Sequence, residues 1–101
     1  MRVLLVCGSG ASSGFMASNI RKAAKERNVE LDMKARGESE IENYIEEIDA
    51  LMIGPHLAYL MEEIDEDFGE YDVKKILMRA DYYATLDGNK ALDHLLEEIK
   101  K

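Results

Sequence analysis

The fold is decided by residues 3–16, which read Val3-Leu4-Leu5-Val6-Cys7-Gly8-Ser9-Gly10-Ala11-Ser12-Ser13-Gly14-Phe15-Met16. The stretch opens on a continuous apolar run, which is typical of a strand buried on both faces of a parallel sheet. It passes through three glycines and three serines and continues with helical spacing, so we predict a strand, a tight loop and a helix. Such a loop favours phosphate binding, because glycines let backbone N–H groups converge and the helix N-terminus adds partial positive charge.

Cys7 is the only cysteine, and it stands where the apolar run ends. A thiol that faces a helix N-terminus is more readily held as thiolate, because the helix dipole favours the anion. Two interpretations follow: Cys7 is a nucleophile whose phosphoryl group the loop cradles, or it is a small buried residue of the core. The number of donors in the loop favours the first. The loop lacks the lysine of a Gly-x-x-x-x-Gly-Lys-Ser/Thr motif, and it matches Gly-x-Gly-x-x-Gly only loosely.

The length of 101 residues predicts one small domain over residues 1–101, and 47% apolar with 34% charged residues is an ordinary globular composition. No apolar run approaches ~20 residues, so we expect no membrane insertion. The N-terminus lacks the pattern of a signal peptide, and a single cysteine cannot form an internal disulfide, which together predict a cytoplasmic protein. A net charge of −8 argues against nucleic acid as a partner.

The charges are segregated along the chain. Residues 1–36 hold seven Lys or Arg and three acids, whereas residues 37–70 hold twelve acids and no base. Two interpretations are open: a solvated acidic face on two helices, which we favour, or a surface that rejects wrong partners or steers a right one.

The first helix and second strand follow from two different periodicities. Helical spacing continues from the loop to a stop at Asn28, with Ser12 or Ser13 as the cap. Residues 30–36 alternate strictly between polar and apolar, which predicts a half-exposed strand at a sheet edge.

The middle of the chain predicts two further helices around a central strand. Ser39 and Glu42 have the spacing of a capping box that opens a second helix. Residues 50–53 form a second continuous apolar run and so a central strand. The turn Gly54-Pro55-His56 leads into a third amphipathic helix, since proline is favourable at the first helical position, and Gly69 ends it.

The last third predicts a fourth strand and a final helix. Residues 73–78 form the strand, residues 81–85 a loop or a single helical turn, and residues 87–89 begin the helix. The whole order is β-α-β-α-β-α-β-α, which predicts a three-layer α/β/α fold with a parallel sheet covered on both faces. The two most apolar strands, the first and the third, belong at the centre, and we expect the strand order 2-1-3-4.

In such a sheet, ligands bind at the carboxyl ends of the strands. Cys7, His56 and Tyr82 all belong to loops expected at that edge. His56 is a candidate second phosphoryl carrier, base or phosphate contact, or simply a capping residue. Tyr82 either packs over the loop or hydrogen-bonds to it, or it has a plain packing role. His94 is expected on the last helix, at the boundary of its buried leucine stripe, and two scattered histidines with one thiol do not have the spacing of a metal site.

Three motifs resemble the IIB component of the lactose/cellobiose (chitobiose) branch of the bacterial sugar phosphotransferase system, over nearly the whole chain. The opening strand with Cys7 and its Gly/Ser loop is similar to the family's phosphocysteine loop. Gly54-Pro55 followed by a helix with Tyr59 is similar to its third-strand turn. Asp81-Tyr82, followed by residues 87–92, is similar to its final segment.

The resemblance implies a phosphoryl relay that needs no cofactor. In the family, a phosphohistidine on the IIA component passes its phosphoryl group to the IIB cysteine, which passes it to a sugar held by the membrane component IIC. Cys7 is then the phosphoryl acceptor. The phosphate cradle comprises Gly8, Ser9, Gly10, Ala11, Ser12, Ser13 and Gly14. The sugar is expected to be a β-linked disaccharide, and His56 stands where the family often has glutamine.

Two competing functions stay open. Small protein tyrosine phosphatases also present a loop of Cys, five residues and Arg after a first strand, and a guanidinium there binds the phosphate bidentately. Here the place of that arginine is Ser13, although Asp81 could serve as the acid that protonates the leaving group. The third class is a non-catalytic module that senses phosphorylation or redox state.

Overall fold

A four-stranded parallel sheet forms the centre of the protein, whose computed structural model describes residues 1–6 and 11–101, with the backbone alone for residues 11–13. The strands are β1 (Arg2–Val6), β2 (Asp32–Arg36), β3 (Ala50–Ile53) and β4 (Lys74–Leu77). Their order in the sheet is β2-β1-β3-β4, which confirms the predicted order. Both edge strands are shorter than the predicted ranges 30–36 and 73–78, since β2 begins at Asp32 and β4 begins at Lys74.

The strands lie where their hydrophobicity predicts. All four residues of β3 are buried, as are the last four of β1, because both strands are covered by neighbours and by helices. The alternating strand β2 occupies an edge. In the register, Val6 pairs with Arg36 on one side and with Ile53 on the other, and Ile53 pairs with Leu77. The four strands therefore end at a common carboxyl edge.

The five helices that the described residues form cover both faces of the sheet. They are α1 (Ala11–Glu26), α2 (Ile41–Tyr44), α3 (Met61–Phe68), α4 (Ala80–Ala84) and α5 (Gly88–Ile99). One core packs α1 and α5 against the sheet through Leu5, Met16, Ile20, Met52, Leu92 and Leu95. The other packs α2 and α3 through Leu4, Val6, Ile41, Leu51, Ile53 and Ile64. This arrangement confirms the three-layer fold.

The longest helix, α1, starts and stops close to the predicted points. Asn28 has a φ of 57°, a left-handed conformation that asparagine tolerates and that ends helices. The N–H of Val29 then donates to the carbonyl of Ala24 at 2.8 Å, closing the helix end. The predicted cap was wrong: the helix begins at Ala11, so Ser12 and Ser13 lie inside its first turn.

The second helix does not begin with the predicted capping box. A 3-10 helix (Glu38–Glu40) follows β2, and it places Ser39 inside a turn that the N–H of Glu40 closes on the Gly37 carbonyl. No side chain caps either this turn or α2. The prediction failed because the chain leaves the sheet edge in a tight turn before the α-helix can start.

The third helix is also divided. Pro55 opens a 3-10 helix (Pro55–Leu60), as its fixed φ favours, and α3 begins only at Met61. Leu57 has non-helical angles (φ −104°, ψ 18°) and is buried at 4% exposure. The kink lets Leu57 reach the core beneath, which straight helical spacing from residue 57 did not predict.

The last two helices confirm the predicted single turn and final helix. The short helix α4 spans residues 80–84, and α5 starts at Gly88. Asp87 caps α5 by accepting a hydrogen bond from the Lys90 N–H at 3.1 Å. Among the helices formed by residues 1–6 and 11–101, none is both long and apolar enough to cross a membrane.

Candidate functional site

The strand–loop–helix unit that contains Cys7 lies at the carboxyl edge of the sheet. Strand β1 ends at Val6 and α1 begins at Ala11, while residues 7–10 lie outside the described residues. The carbonyl of Val6 accepts a hydrogen bond from the N–H of Gly54 at 2.9 Å, so the end of β1 is held against the end of β3. Cys7 therefore directly follows the carboxyl end of a buried, doubly paired strand.

The first turn of α1 contains the second half of the predicted phosphate cradle. Of that cradle, Gly8, Ser9 and Gly10 lie outside the described residues, whereas Ala11, Ser12, Ser13 and Gly14 form this turn. The first N–H groups of an α-helix have no carbonyl partner within it, and they give this end its partial positive charge. No acidic residue stands in the turn to neutralise that charge. Gly14 is exposed, and a Cβ added there would meet nothing within 4 Å.

His56 lies in the 3-10 helix that follows β3, at the same edge. Its side chain is exposed, and its ring centroid is 5.9 Å from that of Tyr83, with the planes tilted by 53°. This contact joins the turn after β3 to the helix after β4. His56 therefore lies at the predicted edge of the sheet, where its ring contacts Tyr83 from the helix after β4.

Tyr82 belongs to the core shared by α1, α4 and α5. Its side chain is 1% exposed, and its hydroxyl lies 2.6 Å from Nδ1 of His94. The two rings meet edge to face with centroids 5.8 Å apart. Burial raises the pKa of Tyr82, so its hydroxyl stays protonated, and it donates a hydrogen bond to Nδ1 in the His94 tautomer that carries its proton on Nε2. The sequence predicted His94 as a boundary residue and left Tyr82 between the loop and plain packing, and it carried no signal for this pairing across two helices.

Arg79 and Asp81 flank Tyr82 at the surface. The Arg79 guanidinium lies 5.4 Å from the centre of the Tyr82 ring, and its Nε is 3.6 Å from Oδ1 of Asp81. The same Oδ1 accepts a hydrogen bond from the Tyr82 N–H at 2.7 Å. Burial lowers the pKa of His94, and the Arg79 charge lowers it further, against the opposing carboxylate of Glu98. Asp81, the acid that a phosphatase would need, is thus held by its own neighbours.

A second arginine, Arg36, ends β2 and contacts Tyr44 of α2. Arg36 donates from Nε to the Tyr44 hydroxyl at 3.0 Å and from one terminal nitrogen to the Ala35 carbonyl at 2.7 Å. Its guanidinium carbon also lies 5.6 Å from the centre of the Tyr44 ring. Tyr44 therefore links the positive charge at this strand end to α2.

The sequence left a phosphotransferase IIB component and a small phosphatase open, and a family comparison separates them. Residues 2–94 match the family described as PTS system, Lactose/Cellobiose specific IIB subunit. The chain belongs to this family of the sugar phosphotransferase system, as the sequence motifs suggested.

Two relatives show how the domain occurs in longer and shorter proteins. The chain is 25% identical over 95 residues to the PTS system oligo-beta-mannoside-specific EIIB component of Bacillus subtilis, covering 94% of this chain and 92% of that one. It is 28% identical over 101 residues to the PTS system lactose-specific EIICB component of Staphylococcus haemolyticus. That match covers 98% of this chain but spans only 17% of the relative, in which a IIB region is part of a longer protein.

Solved structures confirm the fold. The lactose-specific IIB component domain of Streptococcus pneumoniae superposes with a TM-score of 0.86 at 20% identity, over 97% of this chain and 96% of that one. A low molecular weight protein tyrosine phosphatase from Bacillus subtilis superposes with a TM-score of 0.63 at 16% identity, over 99% and 97% of the two chains. Both likenesses are of fold alone. They confirm the predicted three-layer fold, whereas the predicted phosphatase-like Cys loop after the first strand lies outside the described residues.

Proposed function

We propose that this chain is the phosphoryl carrier of a sugar phosphotransferase, with Cys7 as the residue that is phosphorylated. The observation that carries the proposal is the position of Cys7, directly after buried strand β1 and four residues before α1 begins. Parallel α/β sheets bind ligands at this edge. Membership of the lactose/cellobiose IIB family supports the same assignment.

The proposed reaction has two balanced transfers. The Cys7 thiolate attacks the phosphorus of a phosphohistidine on IIA, so an S–P bond forms, the N–P bond breaks, and the imidazole leaves with the electron pair. A sugar hydroxyl bound to IIC then attacks the same phosphorus. The S–P bond breaks, the sulfur leaves as thiolate, and the hydroxyl proton passes to a base. The first transfer needs no metal, because its phosphoramidate donor is already activated.

The helix N-terminus would serve both transfers. Charge in the transition state is spread over the three equatorial phosphoryl oxygens, and backbone N–H groups stabilise it without reorganisation. The first turn of α1 offers such groups, and it carries no carboxylate that would repel the phosphate. The serine hydroxyls of Ser9, Ser12 and Ser13 add donors to the proposed cradle. The core contacts of Met16 and Ile20 hold this helix end in place.

The partners and sugar class follow from the family. We propose IIA as the donor and a membrane IIC as the component that binds the acceptor sugar, in the cytoplasm. The relatives named for EIICB support the pairing with IIC. The oligo-beta-mannoside and lactose names of the relatives support a β-linked disaccharide.

The experiment is intact-mass analysis after incubation with phosphoenolpyruvate, the general phosphotransferase proteins and a IIA protein. We expect a single added phosphate that survives acid and is removed by iodine, as for a thiophosphate ester. Cys7→Ala should abolish the addition, whereas His56→Gln should retain it. An addition that persists in Cys7→Ala would overturn the assignment. Turnover of an aryl phosphate by the wild-type protein would instead favour the phosphatase function.

A further inference from the structure

A groove of about 400 Å³ runs between the 3-10 helix of residues 38–40 with α2 on one side and α3 on the other. Its apolar lining consists of Ile41, Leu60, Ile64 and Phe68. Its acidic lining consists of Glu38, Glu42, Glu63 and Asp67. All four carboxylate residues are exposed, while Ile41 and Ile64 are buried beneath them. The groove thus has an apolar floor and a negatively charged rim.

The rim charges are not balanced within this face of the protein. The segment 37–70 holds twelve acids and no base. In the part of the chain that the structure describes, the ion pairs join Arg27 to Asp93, Arg79 to Asp81 and Lys101 to Glu98, all outside this segment. Repulsion between the carboxylates disfavours the isolated fold, so the charge pattern adds nothing to stability and is suited to attracting a positive partner.

The groove opens beside the proposed reaction edge. Glu38 follows Arg36 by two residues, and Arg36 pairs with Val6, the residue before Cys7. Adjacent strands lie about 4.8 Å apart. A partner seated in the groove would therefore reach the edge of the sheet from which Cys7 must deliver its phosphoryl group.

We propose that this groove, with its rim of four carboxylates, binds a basic amphipathic segment of the membrane component IIC. The proposal rests on the proposed function. Short cytoplasmic loops of membrane proteins are enriched in Lys and Arg, so their charge is complementary to the rim. An amphipathic helix can place apolar side chains at i, i+3 and i+4 on the floor while its basic residues meet the carboxylates. Anionic lipid headgroups would be repelled by the same rim.

The test uses two variants of equal charge. The groove variant carries E38Q, E42Q, E63Q and D67N. The control variant carries E26Q, E30Q, D72N and E97Q, four exposed acids outside the groove. Both should fold with at least wild-type stability, as checked by denaturant unfolding, because each removes acids from a chain of net charge −8.

Binding is measured by co-sedimentation with inverted membrane vesicles that contain a co-produced IIC, and with matched vesicles that lack it. Each variant is made in a Cys7→Ala background, so docking is read without phosphoryl transfer. We expect the groove variant to bind the IIC vesicles roughly tenfold or more weakly at low salt, as removal of steering charges predicts. The control variant should bind within about twofold of the parent and should show the same salt dependence.

Four outcomes would overturn the docking proposal. The first is an equal loss of binding in the groove and control variants, and the second is equal binding of the parent to vesicles without IIC. The third is a groove variant that binds the IIC vesicles like the parent. The fourth is a parent protein that forms a dimer which the groove variant no longer forms. A groove variant with Cys7 restored should still be phosphorylated by IIA at the wild-type rate, and slowed phosphorylation would make IIA the occupant. Failure of the wild-type protein to be phosphorylated at all would instead refute the proposed function.

Discussion

Gly88 lies where α5 closely approaches α1, the helix that follows Cys7. It is buried at the start of α5, and a Cβ added there would lie 2.9 Å from the backbone N of Ile20 and closer still to the carbonyl of Asn19. All of these atoms belong to the backbone of α1, so no flexible side chain can move aside. We predict that Gly88→Ala destabilises the protein by forcing α5 away from α1.

The magnitude can be worked from the contact. Carbon and oxygen atoms normally stay about 3.3 Å apart, so the helices must separate by roughly 1 Å. A radial gap of 0.5–1 Å forfeits about a quarter to a half of the dispersion attraction between the atoms that line it. Overpacking of a core costs about 1–3 kcal/mol, and the helix propensity of alanine returns less than about 1 kcal/mol at a helix start. We therefore expect a net loss of about 2 kcal/mol, or roughly 8–16 °C in Tm.

The assay is urea unfolding, with wild type and variant fitted to a common m-value. The control is Gly14→Ala on α1, where the added Cβ meets nothing within 4 Å and the exposed helical position should gain up to about 1 kcal/mol. Gly14→Ala also keeps every backbone N–H of the proposed cradle, so it should still accept phosphate. If Gly88→Ala unfolds within about 0.5 kcal/mol of the wild type, the two helices are not packed backbone to backbone and the reasoning fails.

Two further predictions concern α5 and its neighbours. Asp87→Ala removes the side chain that accepts from the Lys90 N–H, and it should lower the free energy of unfolding by about 1 kcal/mol in the same urea assay, whereas Asp87→Asn should retain most of it. Because burial and then Arg79 lower the pKa of His94 in the folded state, the unfolded chain binds more protons between that value and about pH 6.5. The stability that comes from keeping His94 unprotonated is present above about pH 6.5 and is lost as the pH falls through the lowered pKa. His94→Gln should therefore flatten this part of the pH–stability curve relative to the wild type. An unchanged slope would contradict the lowered pKa of His94.

The sheet could be predicted from sequence because the hydrophobicity of consecutive residues indicates how deeply a strand is buried. Runs such as 3–6 and 50–53 are apolar at every position, and only a strand covered on both faces buries all of them. The alternation of β2 placed it at an edge for the same reason. The helix stop at Asn28 and the helix start at residues 87–89 were predicted correctly, because a left-handed helix end and an aspartate cap depend on few neighbours.

The helices on the opposite face were harder to predict, since tertiary packing decides their first turns. Ser39 and Glu42 have the right spacing for a cap, yet the exit from β2 uses a 3-10 turn that a local pattern does not encode. Leu57 follows helical spacing, but its burial is achieved by a kink. The bond between Tyr82 and His94 joins residues on separate helices, and each alone is compatible with simple packing. The groove likewise arises only when two acidic helical segments are brought side by side.

A fold shared by carriers and phosphatases raises the question of what would keep a phosphoryl group on Cys7 from being lost to water. A phosphatase loop binds the transferring group with a guanidinium, and here the corresponding place is Ser13. Arg79 is engaged with Asp81 and lies against the Tyr82 ring, so the basic residue after β4 has neighbours of its own. Without a bidentate cation, hydrolysis loses transition-state stabilisation, whereas transfer to a positioned sugar hydroxyl gains the advantage of proximity. We therefore expect the proposed phosphocysteine to persist until an acceptor is docked, which is the property that a carrier requires.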